Sequence, residues 1–279
     1  MNYKYMNVRA KKSLGQHFLT DVATAMRIAD TIDTCPDIPV LEIGPGTGAL
    51  TEHLLGKRRP LEVVELDTES IGYLNAHFPM LRDHIVEGDF LKMDLTRLFG
   101  GRPFVLTGNY PYNISSQIFF KLIDNRDRIP CCTGMIQKEV AERLCSGPGT
   151  KHYGILSVLL QAWYDTEYLF TVPPSVFNPP PKVDSAVVRF TRNAVTALGC
   201  DETLFRRVVK TAFNQRRKMM RGSLKPLLTA LDTERGIFAS PERHAGFFGG
   251  TVLTQRPERL SVQDFVDLTN AIDAECRPQ

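Results

Sequence analysis

Residues 40–51 read Val40-Leu41-Glu42-Ile43-Gly44-Pro45-Gly46-Thr47-Gly48-Ala49-Leu50-Thr51. A short apolar run, broken only by Glu42, stops at three glycines spaced two apart, and helix-forming residues follow. The pattern predicts a strand, a tight turn and a helix start. α/β proteins use that unit to hold a nucleotide-like ligand above the carboxyl ends of parallel strands. Glycine in such a turn permits left-handed backbone and lets a ligand approach closely. Alone, the stretch does not choose among ligands.

Working outward, the same alternation recurs. Leu61–Asp67, His84–Phe90, Phe104–Asn109 and Cys131–Gln137 read as further strands, and a helical segment with Ile71, Leu74 and Phe78 separates two of them. The expected fold is α/β, a mostly parallel sheet with helices on both faces. Tyr164–Val172 and Ser185–Phe190 are strand-like, and the prolines of Pro173–Pro181 between them exclude a helix or a central strand, leaving a rigid loop. Upstream, residues 9–20 read as an ordered loop anchored by Phe18 and Leu19, with helical spacing through Val22, Met26, Ile28 and Ala29. A shift in composition at Thr191–Cys200 divides a first domain, 1–192, from a small helical domain, 193–279. In the latter, Leu204, Val208, Val209, Ala212 and Phe213, then Leu227 and Leu228, then Phe265, Val266 and Leu268 repeat at amphipathic helical spacing.

With 279 residues, 43% hydrophobic and 23% charged, the composition is that of a soluble globular protein. The six cysteines form no C-x-x-C pair and are expected as reduced thiols. Met1–Lys12 has no apolar core of the kind a signal peptide needs, and nothing approaches the roughly 18 uncharged apolar residues of a membrane span. A cytoplasmic location without membrane contact is the expectation. The net charge of +3 is unevenly placed. Thr203–Leu231 holds eight basic residues (Arg206, Arg207, Lys210, Arg216, Arg217, Lys218, Arg221, Lys225) and no acid, and Met1–Thr20 holds four (Lys4, Arg9, Lys11, Lys12), again without acid. Two basic patches on an otherwise acidic chain point to a polyanionic partner.

The chemistry lies at the strand ends: Gly44, Gly46 and Gly48, then Glu65, then Asp89, then Asn109. Glu65 follows Gly44 by 21 residues, where a carboxylate accepts from two ribose hydroxyls. A dinucleotide site would share both features but spaces its glycines G-x-G-x-x-G to meet a pyrophosphate. Here the spacing is G-x-G-x-G, and the second acid, Asp89, suits an adenine amino group. Adenosine without pyrophosphate favours S-adenosylmethionine over a nicotinamide cofactor, and no metal is expected.

Asn109-Tyr110-Pro111-Tyr112 suggests the reaction. An adenine amine is a poor nucleophile because its lone pair is delocalised. Two acceptors on its N–H groups favour a pyramidal nitrogen, and the Asn109 side-chain oxygen and the Tyr110 carbonyl are the candidates. Pro111 stiffens the turn, and Tyr112 offers a stacking face worth about 1–3 kcal/mol to a base. No strong base is required, since the methylated nitrogen loses its proton to water.

These stretches, with Lys12-Ser13-Leu14-Gly15-Gln16-His17-Phe18-Leu19, Gly88-Asp89-Phe90, Pro173–Val188 and Phe213-Asn214-Gln215-Arg216-Arg217-Lys218, resemble the KsgA family of small-subunit (16S) ribosomal RNA adenine dimethyltransferases over Lys11 to about Pro257. The resemblance implies a Rossmann-like class I S-adenosylmethionine-dependent methyltransferase with a small all-helical C-terminal domain. It implies two methyl transfers to each of two adjacent adenines near the 3′ end of the RNA, during ribosome biogenesis. By position it puts Gln16, His17, Leu19, Gly44, Glu65, Asp89 and Asn109 around the cofactor, and Gly46 and Phe90 complete that candidate set. It also implies that Phe177 faces Tyr112 across a flipped base. The chain departs from the family at His17, usually Asn, and at Tyr110, usually Leu.

Arg206, Arg207, Lys210, Arg216, Arg217, Lys218 and Arg221 are the RNA-binding candidates, while Met219, Met220 and Trp163 read as packing. A monomer acting on the pre-30S subunit is expected. The rivals are a large-subunit (23S) adenine methyltransferase of the antibiotic-resistance type, an assembly factor that acts by binding, and, more distantly, a dehydrogenase.

Overall fold

The structure, a computed structural model, describes residues 8–235 and 250–275. The chain divides into two compact units. One comprises the residues up to Glu142 with Tyr164–Asn193, and the other Arg143–Trp163 with Ala194 onward. Composition places Arg143–Trp163 in the first domain. The segment clusters with the second because its helix Ile155–Gln161 packs on the helix Glu202–Asn214.

In the first unit the strands are β1 (Phe18–Leu19), β2 (Val40–Ile43), β3 (Leu61–Glu65), β4 (Ile85–Glu87), β5 (Val105–Gly108), β6 (Cys131–Gln137), β7 (Tyr164–Val172), β8 (Phe177–Asn178) and β9 (Ser185–Arg192). Seven of them form one sheet in the order β4-β3-β2-β5-β6-β9-β7. The pairs from β4 to β6 are parallel, and β9 lies antiparallel to both β6 and β7. The sheet is therefore mixed, with its antiparallel part supplied by the two strands that flank the proline-rich loop. All four residues of β2 are buried, as expected of a strand at the middle of a parallel sheet.

Register carries the strand ends to one edge. Ile43 pairs with both Val64 and Gly108, and Glu65 pairs with Glu87. Gly44, Glu65, Asp89 and Asn109, spread over 65 residues of sequence, thus emerge side by side. Two strands end earlier than their apolar runs suggest, because the acids beyond them cap helices. Asp67 accepts from the Glu69 amide at the start of the helix Thr68–His77, and Asp89 accepts from the Leu91 amide at the start of the short 3-10 turn Phe90–Lys92.

Leu19 anchors this stretch in the core as expected, but it and Phe18 do not lie in a loop. They form a two-residue strand whose Leu19 pairs with Phe177 of the proline-rich segment. A second departure concerns the thiols: Cys35 and Cys131 are joined in a disulfide, with Cα atoms 5.8 Å apart. Their separation of 96 residues hides this from the sequence, and the 3-10 turn Thr31–Thr34 lying against β6 creates it. Among the described residues, Cys132 and Cys200 are reduced thiols.

The second unit, among its described residues, is helical, with Glu202–Asn214 capped by Asp201 and its core built on Phe213, in ring contact with both Tyr153 and Phe265. Met220 is buried there as expected, but Met219 is 46% exposed, since the chain turns between the helices Glu202–Asn214 and Met220–Ser223.

Candidate cofactor and amine site

The three glycines of the turn are left-handed, with φ of 63° at Gly44, 55° at Gly46 and 82° at Gly48. The outer two do different work. A Cβ at Gly48 would lie 2.3 Å from the Phe78 ring, so this glycine allows packing; at Gly44 the nearest atom is 3.9 Å away, in the Pro111 ring, so the wall stays open.

One cavity is lined by Gln16, His17, Leu19, Gly44, Gly46, Glu65, Asp89, Phe90 and Asn109, together with Tyr110 and Tyr112. Glu65 is buried and holds the turn closed. Its Oε2 accepts from the Gly46 amide at 3.0 Å, and its Oε1 from the Leu66 and Asp67 amides at 2.8 and 2.9 Å. Burial raises its pKa against the pull of these amides. Three of about four acceptor positions on a carboxylate are thereby taken. One remains open to a ligand, where the spacing led to an expectation of two.

Asn109 follows β5, and its Nδ2 donates to the His17 carbonyl at 2.9 Å, which turns the Oδ1 to the other side of the amide. The Tyr110 amide donates to the Met135 carbonyl, and among the described residues no donor is bonded to the Tyr110 carbonyl. The Tyr110 ring points away from this work. It is buried beneath the sheet end, with its hydroxyl donating to the Thr133 carbonyl at 2.8 Å. Tyr112 stacks on His17 with ring centroids 5.4 Å apart, and its hydroxyl is hydrogen-bonded to that of Ser185. His17 also bonds through Nδ1 to the Pro179 carbonyl at 2.8 Å.

Comparison with known proteins bears on this arrangement. The profile of the ribosomal RNA adenine dimethylases matches residues 7–237. The ribosomal RNA small subunit methyltransferase A of Phocaeicola vulgatus is 60% identical over 96% of this chain and 91% of its own. Its counterpart in Bacteroides thetaiotaomicron is 60% identical over 95% of each. This chain belongs to the ribosomal RNA adenine dimethylase family. Among solved structures it is similar to a dimethyladenosine transferase from Plasmodium falciparum (TM-score 0.79, 25% identity, 93% and 98% of the two chains). It is also similar to the 23S rRNA methyltransferase ErmE (TM-score 0.61, 26% identity, 91% and 99%). The fold is accordingly that of the class I methyltransferases.

Within that family frame, the residues present suit S-adenosylmethionine, the methyl donor. An open glycine wall, the remaining acceptor position of Glu65, the Asp89 carboxylate and the apolar Leu19 and Phe90 line one cavity, a set of groups that fits an adenosine-bearing ligand.

Phe177 does not meet the expectation set for it. Its side chain is 4% exposed, packed in the core with Leu19 and Ile28, and it is not among the residues that line the cavity. Pairing of β8 with β1 turns this ring inward. Leu19 is also mainly a core residue, 6% exposed, that borders the cavity.

The sequence reading missed several supports. Lys11 is ion-paired to Asp67 and, at 3.1 Å, to Glu69, while Gln16 donates to Asp67 at 3.4 Å and its Oε1 accepts from the Lys11 amide at 2.8 Å. The basic stretch before β1 is thus latched to the end of β3. Burial opposes ionisation of Asp67, but the Lys11, Gln16 and Ser70 bonds outweigh it and hold its pKa below the ordinary value. Glu42, passed over as a break in an apolar run, is 1% exposed and accepts from the Thr51 hydroxyl at 2.7 Å. Burial pushes its pKa up to about 8, with a contribution from the neighbouring Glu65 charge.

In the second unit the basic candidates occupy three elements, not one helix. Arg206, Arg207 and Lys210 lie on Glu202–Asn214, Arg216–Lys218 on the turn that follows, and Arg221 on the next short helix. Lys210, Arg217, Lys218 and Arg221 are exposed. Arg216 is engaged within the unit, 3.5 Å from Glu258 and donating to the Thr150 carbonyl at 3.0 Å.

Proposed function

We propose that this protein transfers methyl groups from S-adenosylmethionine to the N6 amines of two adjacent adenines near the 3′ end of small-subunit ribosomal RNA. It would act as a monomer in the cytoplasm, on the pre-30S particle. Membership of the adenine dimethylase family makes it an S-adenosylmethionine-dependent rRNA adenine dimethyltransferase. No helix among the described residues is long and apolar enough to cross a membrane.

The observation that carries the amine chemistry is the orientation of Asn109. Its Nδ2 is committed to the His17 carbonyl, so its Oδ1 is the atom offered to a substrate N–H. The unbonded Tyr110 carbonyl supports the second acceptor. S-adenosylmethionine supplies an electrophilic methyl group. Asn109 and Tyr110 hold both amine protons, so the nitrogen pyramidalises and its lone pair is directed rather than delocalised. Once methylated, the nitrogen releases its proton to water, and no side chain need be a strong base. The buried Tyr110 ring explains why an aromatic residue serves where the family usually has Leu: only the backbone faces the cavity. Tyr112, held by Ser185 and His17, is the stacking face for a base taken out of its helix. Burial raises the Tyr112 pKa, which keeps the ring neutral. Phe177, in the core, has no part in this proposal.

Lys210, Arg217, Lys218 and Arg221 supply the exposed cationic surface for RNA phosphates. Incubation with labelled S-adenosylmethionine and separated, unmethylated subunits tests the reading. Label in adjacent adenines of the small-subunit RNA is expected. Label confined to the large subunit, the target in ErmE's name, would replace it.

A further inference from the structure

Beyond the cavity wall, a single cation ties two parts of the site together. Lys121 lies on the helix Ser115–Asp124, whose N-cap Ile114 directly follows Asn109–Asn113. Its ammonium reaches back to the loop after β4, donating to the Leu91 carbonyl at 3.0 Å and to the Met93 carbonyl. It also stands 5.2 Å from the centre of the Phe90 ring, within cation-π range. The loop it grips is the one that presents Asp89 and Phe90 to the cavity. Elsewhere the loop is held by the buried Phe90 and by backbone bonds from Gly88 to Glu65, Lys92 to Asp89 and Met93 to Phe90, and none of those bonds ties it to the helix that carries Lys121. Asp89 caps one short turn, and its link to Lys92 is a 3.8 Å ion pair on an exposed lysine. Lys121 is partly buried, and burial lowers its pKa against the opposing charges of Asp89 and Asp94. Its hydrogen bonds therefore form away from bulk water, where an unpaired carbonyl is costly.

We propose that Lys121 is a positioning residue for the adenine end of the cofactor. By fixing the backbone at Leu91 and Met93 to the helix that carries the amine loop, it keeps Asp89 and Phe90 at the distance from Asn109 that one bound cofactor requires. The inference rests on the assignment of Asp89 and Phe90 to the adenine. Lys121 touches neither cofactor nor substrate. Its loss leaves the protein folded but lets the loop drift, and discrimination of the purine is the property that suffers. A site built to hydrogen-bond an amino group rejects an analogue that lacks it, provided that its acceptor is held in place.

The test is binding, without RNA or turnover. Calorimetry gives the dissociation constants of S-adenosylhomocysteine and of its hypoxanthine counterpart, which carries a carbonyl where adenine has its amine. The parent protein is expected to favour the adenine compound by about a hundredfold or more. Lys121→Met is expected to reduce that ratio about tenfold, while Lys121→Gln, which keeps one donor, falls between. Thermal melts check that each variant is folded, and if Lys121→Met is not, Lys121→Gln gives the answer. A folded variant whose ratio equals the parent's overturns the inference and leaves Lys121 a structural contact only. Asp89→Ala separates this from the underlying assignment. If Asp89→Ala collapses the ratio and the Lys121 variants do not, the inference alone fails. If the Lys121 variants reduce it and Asp89→Ala does not, the wall is positioned as proposed, but Asp89 is not the acceptor.

Discussion

Glu42→Gln should flatten the pH dependence of this protein's stability. Glu42 is a buried carboxyl whose one hydrogen bond to a described side chain comes from Thr51, and its pKa stands at about 8 in the folded chain against an ordinary 4.5. Between those values the folded protein holds a proton that the unfolded chain has released. The unfolded state therefore binds fewer protons, and stability falls as pH rises across the window. At about 1.4 kcal/mol per unit, the full effect is about 5 kcal/mol, of which about 3 kcal/mol is lost between pH 5.5 and 8.5. Glutamine keeps the shape and an acceptor for Thr51 but does not titrate. Urea unfolding at the two pH values, followed by circular dichroism for the parent and Glu42→Gln, isolates the contribution as a difference of differences. The parent should lose about 3 kcal/mol more than the variant. Equal losses, within about 1 kcal/mol, would refute the claim that Glu42 is held protonated by burial.

Three further outcomes follow from the geometry. Asn109→Ala removes an acceptor aimed at the reacting amine and should lower methyl transfer about 10²–10³-fold with S-adenosylmethionine affinity reduced far less, a split that initial rates and calorimetry measure. Gly48→Ala should destabilise by about 2–4 kcal/mol in urea titrations, because a left-handed alanine is strained and its Cβ displaces the Phe78 ring. Arg217→Ala and Lys218→Ala should each weaken RNA binding and reduce the slope of log affinity against log salt by about 1, whereas an unchanged slope would remove that side chain from the phosphate contacts.

What could be read in advance, and what could not, divides along a physical line. The strand-turn-helix at 40–51 was legible because period, glycine spacing and helix propensity are local, and the order of strand and helix follows from the same patterns. Glu65, Asp89 and Asn109 were legible as strand-end residues for the same reason. Glu42 was misread as an interruption, since nothing nearby announces that Thr51 will supply its hydrogen bond across the turn. Phe177 went the other way. The family resemblance implied a role for it at the base, and pairing with Leu19 turned it into the core. The Cys35–Cys131 disulfide, the Lys11–Asp67 latch and the Lys121 grip all join residues 28 or more positions apart.

By itself, then, the sequence determined the class of fold and the kind of cofactor and suggested the chemistry of the amine loop, because each is written in short-range patterns of residue type. Only the tertiary structure decided that Glu65 has a single acceptor position left, that Asn109 turns its oxygen rather than its nitrogen outward, and that Arg216 is drawn to Glu258. Those are matters of which hydrogen-bonding partners arrive from elsewhere in the chain. A side chain's remaining capacity to bind depends on what the fold has already made it hold.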